Sequence, residues 1–167
     1  MNDRLQPQQG TVYIVDDDYW VRDSMRLLLE SVGYDARAYR DAEDFSKVYA
    51  PDSGAACVVL DVRLPGASGL ELLERLRADN IDVPIIIVTG YADVPMAVRA
   101  MKGGAVDFLQ KPYSDQTLLD TVHRALERSV DLLEASEARQ SAQERLERLA
   151  PREREVLDRV VQGKATK

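Results

Sequence analysis

Thiol and imidazole groups are scarce in this chain, with one cysteine and one histidine among 167 residues. The lone Cys57 lies inside an apolar run and cannot close an internal disulfide, which fits a reducing cytosol. Positive charge is also short. Twenty-two Lys and Arg face 29 Asp and Glu, for a net charge of −7 and a pI near 4.8. General attraction to phosphate backbones is therefore absent, and nucleic-acid binding by the chain as a whole is disfavoured. No apolar run reaches the length of a membrane span, and the opening MNDRLQPQQG has no apolar stretch of a signal peptide. A soluble, cytoplasmic protein with no membrane partner is expected, and residues 1–10 read as a flexible N-terminal arm. What the chain does have is 45% hydrophobic residues, enough for one full core and an appendage.

The apolar residues are arranged in alternating strands and helices. Continuous β-branched runs at Val12 to Val15, Cys57 to Leu60 and Pro84 to Val88 have the pattern of strands covered on both faces. Weaker strands are expected at Asp35 to Tyr39 and Val106 to Leu109. Helical spacing marks Val21 to Val32, Ala42 to Tyr49, Leu70 to Arg77 and Pro95 to Lys102, with Gly33 and the Gly103–Gly104 pair as stops. Five strand–helix repeats with short connections imply right-handed crossovers and a doubly wound, five-stranded parallel α/β sandwich. Ligands in such folds bind at the carboxyl ends of the strands.

Asp16 and Asp17, Asp61, Thr89 and Lys111 all fall at those ends. Singly, each has an ordinary reading. The Asp16–Asp18 run could cap the next helix, Asp61 could serve its turn, Thr89 could merely end a strand, and Lys111 could be a solvated charge. Together they make a phosphoryl-transfer pocket. Three close carboxylates repel one another and call for a hard divalent cation, Mg²⁺ or Mn²⁺ in its place. A carboxylate then acts as nucleophile to give an aspartyl phosphate. Asp61, alone at the end of the central strand and before a Pro/Gly turn, is the expected nucleophile. The Lys111 ammonium and the Thr89 hydroxyl are placed to hold the remaining phosphoryl oxygens.

The segments VYIVDDD, VVLDVRLPGASGLELL and IIIVTGYADVPMAVRAMKGGAVDFLQKP together resemble the receiver domain of two-component response regulators, the CheY-like variant of the flavodoxin-like fold. Gly90 to Pro112 is most similar to the FixJ branch of the NarL/FixJ group, and the resemblance covers residues 11–127. It implies a sensor histidine kinase as phosphodonor and Asp61 as phosphoacceptor. It further implies that Asp17 and Asp61 contact Mg²⁺ directly, Asp16 through water, and Arg63 through its backbone carbonyl. Thr89 becomes the switch hydroxyl, Lys111 its ionic partner and Phe108 the aromatic that changes rotamer with Thr89. Lys111–Pro112 resembles the family's cis peptide.

Phosphorylation is expected to act through the fourth helix, fifth strand and fifth helix, a face that includes Val94, Pro95, Val98, Met101 and Lys102, then Leu118 and Val122. The resemblance places the homodimer of the activated protein there. Val98 and Met101 have the alternative reading of ordinary core residues. Arg63 and Tyr91, two positions after Asp61 and Thr89, should flank the path of attacking water. Both are large, and slow self-dephosphorylation is the expected result, a solvent-facing pair being the simpler alternative.

From Ser114, a good N-cap, to about Leu149 the chain has neither Gly nor Pro, and one long helix is expected. Asp120–Arg124 and Glu144–Arg148 have i, i+4 spacing. An apolar line through Leu119, Val122, Leu126, Val130 and Leu133 thins to Ala135, Ala138 and Ala142 before Leu146 and Leu149, too weak for a strong coiled coil by itself. Residues 128–149 therefore read as a linker helix that either dimerises with the receivers or stays solvated. The final LAPREREVLDRVVQGKATK, residues 150–167, resembles the opening of a LuxR-type helix-turn-helix domain. A plain charged amphipathic helix, with Glu155 and Arg159 in register, is the alternative. The base-reading helix does not follow, so a truncated or naturally short regulator is expected, with DNA contacted only through the missing domain.

Two other classes compete. A haloacid-dehalogenase-type phosphatase also uses a strand-end Asp and Mg²⁺, but carries a second Asp two residues on, where this chain has Arg63. A stand-alone receiver acting by protein contacts or as a phosphate sink is the other. The missing second Asp argues against the first, and the long helix with the LuxR-like opening against the second; no enzyme activity is expected beyond self-catalysed phosphoryl transfer to Asp61 and slow self-dephosphorylation. His123 is assigned a surface or packing role, since its helix lies away from the strand ends.

Overall fold

In the computed structural model, described over residues 10–51, 54–149 and 151–163, the five repeats expected from the hydrophobic pattern form. The strands are β1 (Thr11–Val15), β2 (Asp35–Tyr39), β3 (Ala56–Asp61), β4 (Ile85–Thr89) and β5 (Asp107–Gln110). They alternate with α1 (Tyr19–Ser31), α2 (Ala42–Val48), α3 (Gly69–Ala78) and α4 (Val94–Lys102), and α5 (Asp115–Glu147) follows β5. All pairings are parallel, in the order β2-β1-β3-β4-β5. Most of the N-terminal arm lies outside the described residues, as do residues 164–167 of the expected helix-turn-helix opening. Among the described residues no helix is long and apolar enough to cross a membrane.

Burial on both faces explains the unbroken apolar strands. Alternate residues of the sheet feed two cores. Tyr13, Val15, Val58, Leu60, Ile85 and Ile87 pack with residues of α2, α3 and α4, including Phe45, Leu72, Leu73 and Ala100. The opposite set, Val12, Ile14, Cys57, Val59, Ile86 and Val88, packs with Met25 and Leu29 of α1 and Leu118, Val122 and Leu126 of α5.

Local chemistry sets the helix ends. Asp18, Asp41 and Asp93 cap α1, α2 and α4 through their side chains, and Ser68 with Glu71 forms a capping box on α3. The Ser114 hydroxyl accepts from Thr117 N–H at 3.1 Å at the start of α5. Gly33 and Gly104 follow α1 and α4 with φ of +94° each, a left-handed turn that favours glycine.

Two expectations for α5 are corrected. Leu118 and Val122 are 1% and 0% exposed, because they fill the core under the sheet, and they are not available to an output surface. Arg124 does not pair with Asp120. It reaches Asp107 of β5 at 3.1 Å, a partner fixed on the sheet, while Asp120 accepts from Gln116. Further along the helix the buried Ser129 hydroxyl accepts from Ala56 N–H at 3.0 Å, securing the start of β3. From residue 132 the chain forms a second compact unit. It contains the remainder of α5 and α6 (Pro151–Val161), in which Arg159 and Glu155 pair at 2.8 Å.

Candidate phosphoacceptor and metal site

Strand register brings the sequence-predicted residues to one edge. Val15 of β1 pairs with Leu60 of β3, so Asp16 follows level with Asp61. Asp61 pairs with Val88, one residue before Thr89. Thr89 in turn pairs with Gln110, one before Lys111. The strand order reverses between β1 and β3, which opens the crevice where such sheets bind ligands.

One carboxylate oxygen from each of Asp16, Asp17 and Asp61 lies within 4.8 Å of the other two. Lys111 Nζ donates to Asp16 Oδ2 at 2.7 Å and stands 3.6 Å from Asp61 Oδ2. Asp16 is 2% exposed and Asp61 8% exposed. Burial raises the Asp61 pKa above the ordinary carboxylate value; Lys111 and the Arg63 N–H oppose this, while Asp16 and Asp17 add to it. For Lys111 burial works against the charge, but the hydrogen bond and charge of Asp16, with Asp61, win and raise its pKa. The pocket thus holds more negative charge than its lysine offsets, with oxygen donors only. Those residues fit a hard divalent cation of the Mg²⁺ type.

The three consecutive aspartates divide their work. Asp18 accepts from Trp20 N–H at 2.9 Å and Val21 N–H at 3.2 Å, so the capping role belongs to it. Asp16 and Asp17 are left to the pocket. Thr89 is fully buried, and its Oγ1 accepts from Tyr91 N–H at 3.3 Å. Its carbonyl accepts from Lys111 N–H at 2.9 Å, and the Lys111–Pro112 peptide is cis. Phe108 is partly buried against the core that contains Ile87. Arg63 N–H donates to Asp61 Oδ1 at 3.3 Å, and its guanidinium lies over the Tyr91 ring, 3.5 Å from the centroid. Both side chains are exposed, yet they meet each other.

Two contributors escaped the sequence reading. Gly69 opens α3 so close to β3 that a Cβ there would stand 2.1 Å from the Asp61 carbonyl oxygen; its N–H donates to Val62 O at 2.9 Å. Its signal was the capping box Ser68-x-x-Glu71 around it. Arg22 donates Nη1 to the Asp16 carbonyl at 2.7 Å, which no spacing rule announces.

A five-stranded, doubly wound parallel sheet with an acid cluster at its carboxyl edge defines the CheY-like receiver fold. The family model for the response regulator receiver domain matches residues 12–123, and the chain belongs to that family. Receiver domains bind Mg²⁺ at an acidic pocket, and they are generally not classical enzymes. The chain is 40% identical over 159 residues to the transcriptional regulatory protein FixJ of Bradyrhizobium diazoefficiens, covering 95% of this chain and 77% of that protein. It is 46% identical to nodulation protein W of the same organism, covering 93% and 68%. Among solved structures, the response regulator StyR is similar at a TM-score of 0.84 and 38% identity, covering 94% of this chain and 79% of that one.

Proposed function

We propose that this receiver accepts a phosphoryl group on Asp61 from a sensor histidine kinase and belongs to the FixJ branch of the NarL/FixJ regulators. The carrying observation is the convergence of Asp16, Asp17 and Asp61 within 4.8 Å, with Lys111 Nζ 3.6 Å from Asp61. A carboxylate oxygen of Asp61 attacks phosphorus, the phosphorus–nitrogen bond of the phosphohistidine breaks, and the imidazole leaves with a proton. Asp17 and Asp61, with Asp16 through water and Arg63 through its backbone carbonyl, would hold a Mg²⁺ ion, which would supply positive charge against the phosphoryl oxygens. Lys111 and Thr89 bind phosphoryl oxygens, and Phe108 follows Thr89 into the space it leaves.

The output reading rests on α4. Val94, Val98 and Met101 are 76%, 44% and 48% exposed, which disfavours a core role. The α4–β5–α5 face, without Leu118 and Val122, is the homodimer surface of the phosphorylated protein. In the proposed domain division, residues 11–127 are the receiver, 128–149 the linker and 150–167 the opening of a LuxR-type DNA-binding domain. Transcriptional control is exerted through that domain. The Arg63–Tyr91 pair restricts water and prolongs the acyl phosphate.

The test is intact mass and gel filtration with acetyl phosphate and Mg²⁺. One phosphoryl group per chain, lost in Asp61→Asn, with a larger particle that also requires Asp61, is expected. Phosphate on Asp61→Asn at the wild-type level would overturn the assignment.

A further inference from the structure

Every polar atom of Asp16 is engaged. Its N–H donates to Tyr39 O at 3.1 Å, Oδ1 accepts from Asp18 N–H at 2.9 Å, and Oδ2 accepts from Lys111 at 2.7 Å. The remaining atom, the main-chain carbonyl, accepts from Arg22 Nη1 at 2.7 Å. That carbonyl belongs to the peptide that joins Asp16 to Asp17. Its plane constrains the relative directions of the two flanking Cα–Cβ bonds, so the residue that holds it limits how the neighbouring carboxylates can be aimed. Arg22 lies one turn into α1, its own backbone N–H bonded to Asp18 O at 3.0 Å. Its guanidinium carbon lies 5.7 Å from the centroid of the Tyr19 ring. Among the described residues it makes no ion pair, so its charge is not spent on a carboxylate.

We propose that Arg22 is a positioning residue for the divalent cation: it locks the Asp16–Asp17 peptide and thereby raises the pocket's affinity for Mg²⁺ without touching the ion. The inference rests on the metal-dependent reading of the pocket given above. Two effects of Arg22 oppose each other. Its positive charge repels an incoming cation, while the fixed peptide spares the two aspartates the ordering that binding would otherwise demand. The charge is half-solvated and screened, whereas the hydrogen bond is short and charge-assisted, so the ordering effect dominates.

Substitution separates the two. Arg22→Met removes charge and donor together, and Arg22→Lys keeps the charge and an N–H donor group but loses the planar fork and its reach. Titration calorimetry with Mg²⁺ on the full chain is expected to give a Kd about tenfold weaker for Arg22→Met, the usual size for losing a partner that orients a ligand. Arg22→Lys should fall between, about threefold weaker than wild type by the same reasoning. At saturating Mg²⁺ with acetyl phosphate, both variants should reach the wild-type level of Asp61 phosphorylation. Binding by Arg22→Met as tight as wild type or tighter overturns the proposal, because repulsion would then be the larger effect. A phosphorylation deficit that saturating Mg²⁺ does not restore overturns it as well. If Arg22→Met does not fold, an unchanged Kd in Arg22→Lys has the same consequence. Failure of the wild type to bind Mg²⁺ would instead overturn the metal reading of the pocket, and this inference with it.

Discussion

The Arg63 guanidinium lies 3.5 Å from the centroid of the Tyr91 ring, joining the loop after β3 to the loop after β4 above the pocket. A cation–π contact at an exposed site contributes about 0.5–1 kcal/mol. Because Arg63 N–H also reaches Asp61 and Tyr91 N–H reaches Thr89, the contact ties together the two loops that a phosphoryl group on Asp61 would face. Arg63→Ala and Tyr91→Ala should each speed loss of the acyl phosphate, by about two- to fivefold if the contact energy is lost from the barrier. The double variant should be little faster than either single one, since each already breaks the same contact. Decay followed by intact mass in all three would show this; unchanged lifetimes in both single variants would end the idea.

Gly69→Ala tests the close approach of α3 to β3 at Asp61. A Cβ placed 2.1 Å from a backbone oxygen cannot be accommodated by a side-chain rotation. The helix start must shift, at a cost of about 3 kcal/mol, the upper end for overpacking. Urea denaturation should show that loss, and the phosphorylation rate of the folded fraction should fall because Asp61 moves with its strand.

Asp61→Asn should stabilise the metal-free protein at neutral pH by about 1 kcal/mol, as relief of a functional strain commonly does. The sign follows from the raised Asp61 pKa, whose first cause is burial. A carboxyl that holds its proton more tightly when folded imposes no penalty below its unfolded pKa of about 3.9. The penalty grows as pH rises through the interval up to the folded pKa and is constant above it. The gain from Asp61→Asn should therefore vanish in acid. Added Mg²⁺ should close the gap and slightly reverse it by stabilising the wild type, by about 1.4 kcal/mol at ten times Kd. Denaturation at several pH values, with and without Mg²⁺, measures both effects.

Val98→Glu places a charge on the exposed side of α4. Since Val98 is 44% exposed, monomer stability should change by no more than about 0.5 kcal/mol. The phosphorylation-dependent increase in particle mass should disappear, while the phosphoryl content stays at wild type. Retention of the larger particle would remove α4 from the dimer surface.

The sequence showed the repeating architecture because strands buried on both sides must be continuously apolar, and each pocket residue directly follows such a run. Asp16, Asp17, Asp61 and Lys111 meet for that reason. Contacts made by backbone atoms left no comparable trace. Nothing in the side-chain pattern near Arg22 says that it grips a carbonyl six residues earlier, and Gly69 looks like any turn glycine until the Asp61 oxygen is seen beside it. The apolar spacing in α5 was visible, but its direction was not. Leu118 and Val122 belong to the same stripe as Leu126, and only packing against the sheet revealed that the stripe faces inward.

Ser129 fastens the first residue of β3, and the Val62–Gly69 bond fastens the turn beyond its last. The strand carrying Asp61 is thus a mooring post held at both ends, with β1 and β4 laced along its sides. A charge added at its tip has little freedom to displace the post. Packing is lighter toward β5, at the sheet edge, where Phe108 is only partly covered and α4 contributes a single buried residue, Ala100. In the proposed switch, this asymmetry would carry the effect of a phosphoryl group on Asp61 outward, from the fastened central strand toward the β5 rim.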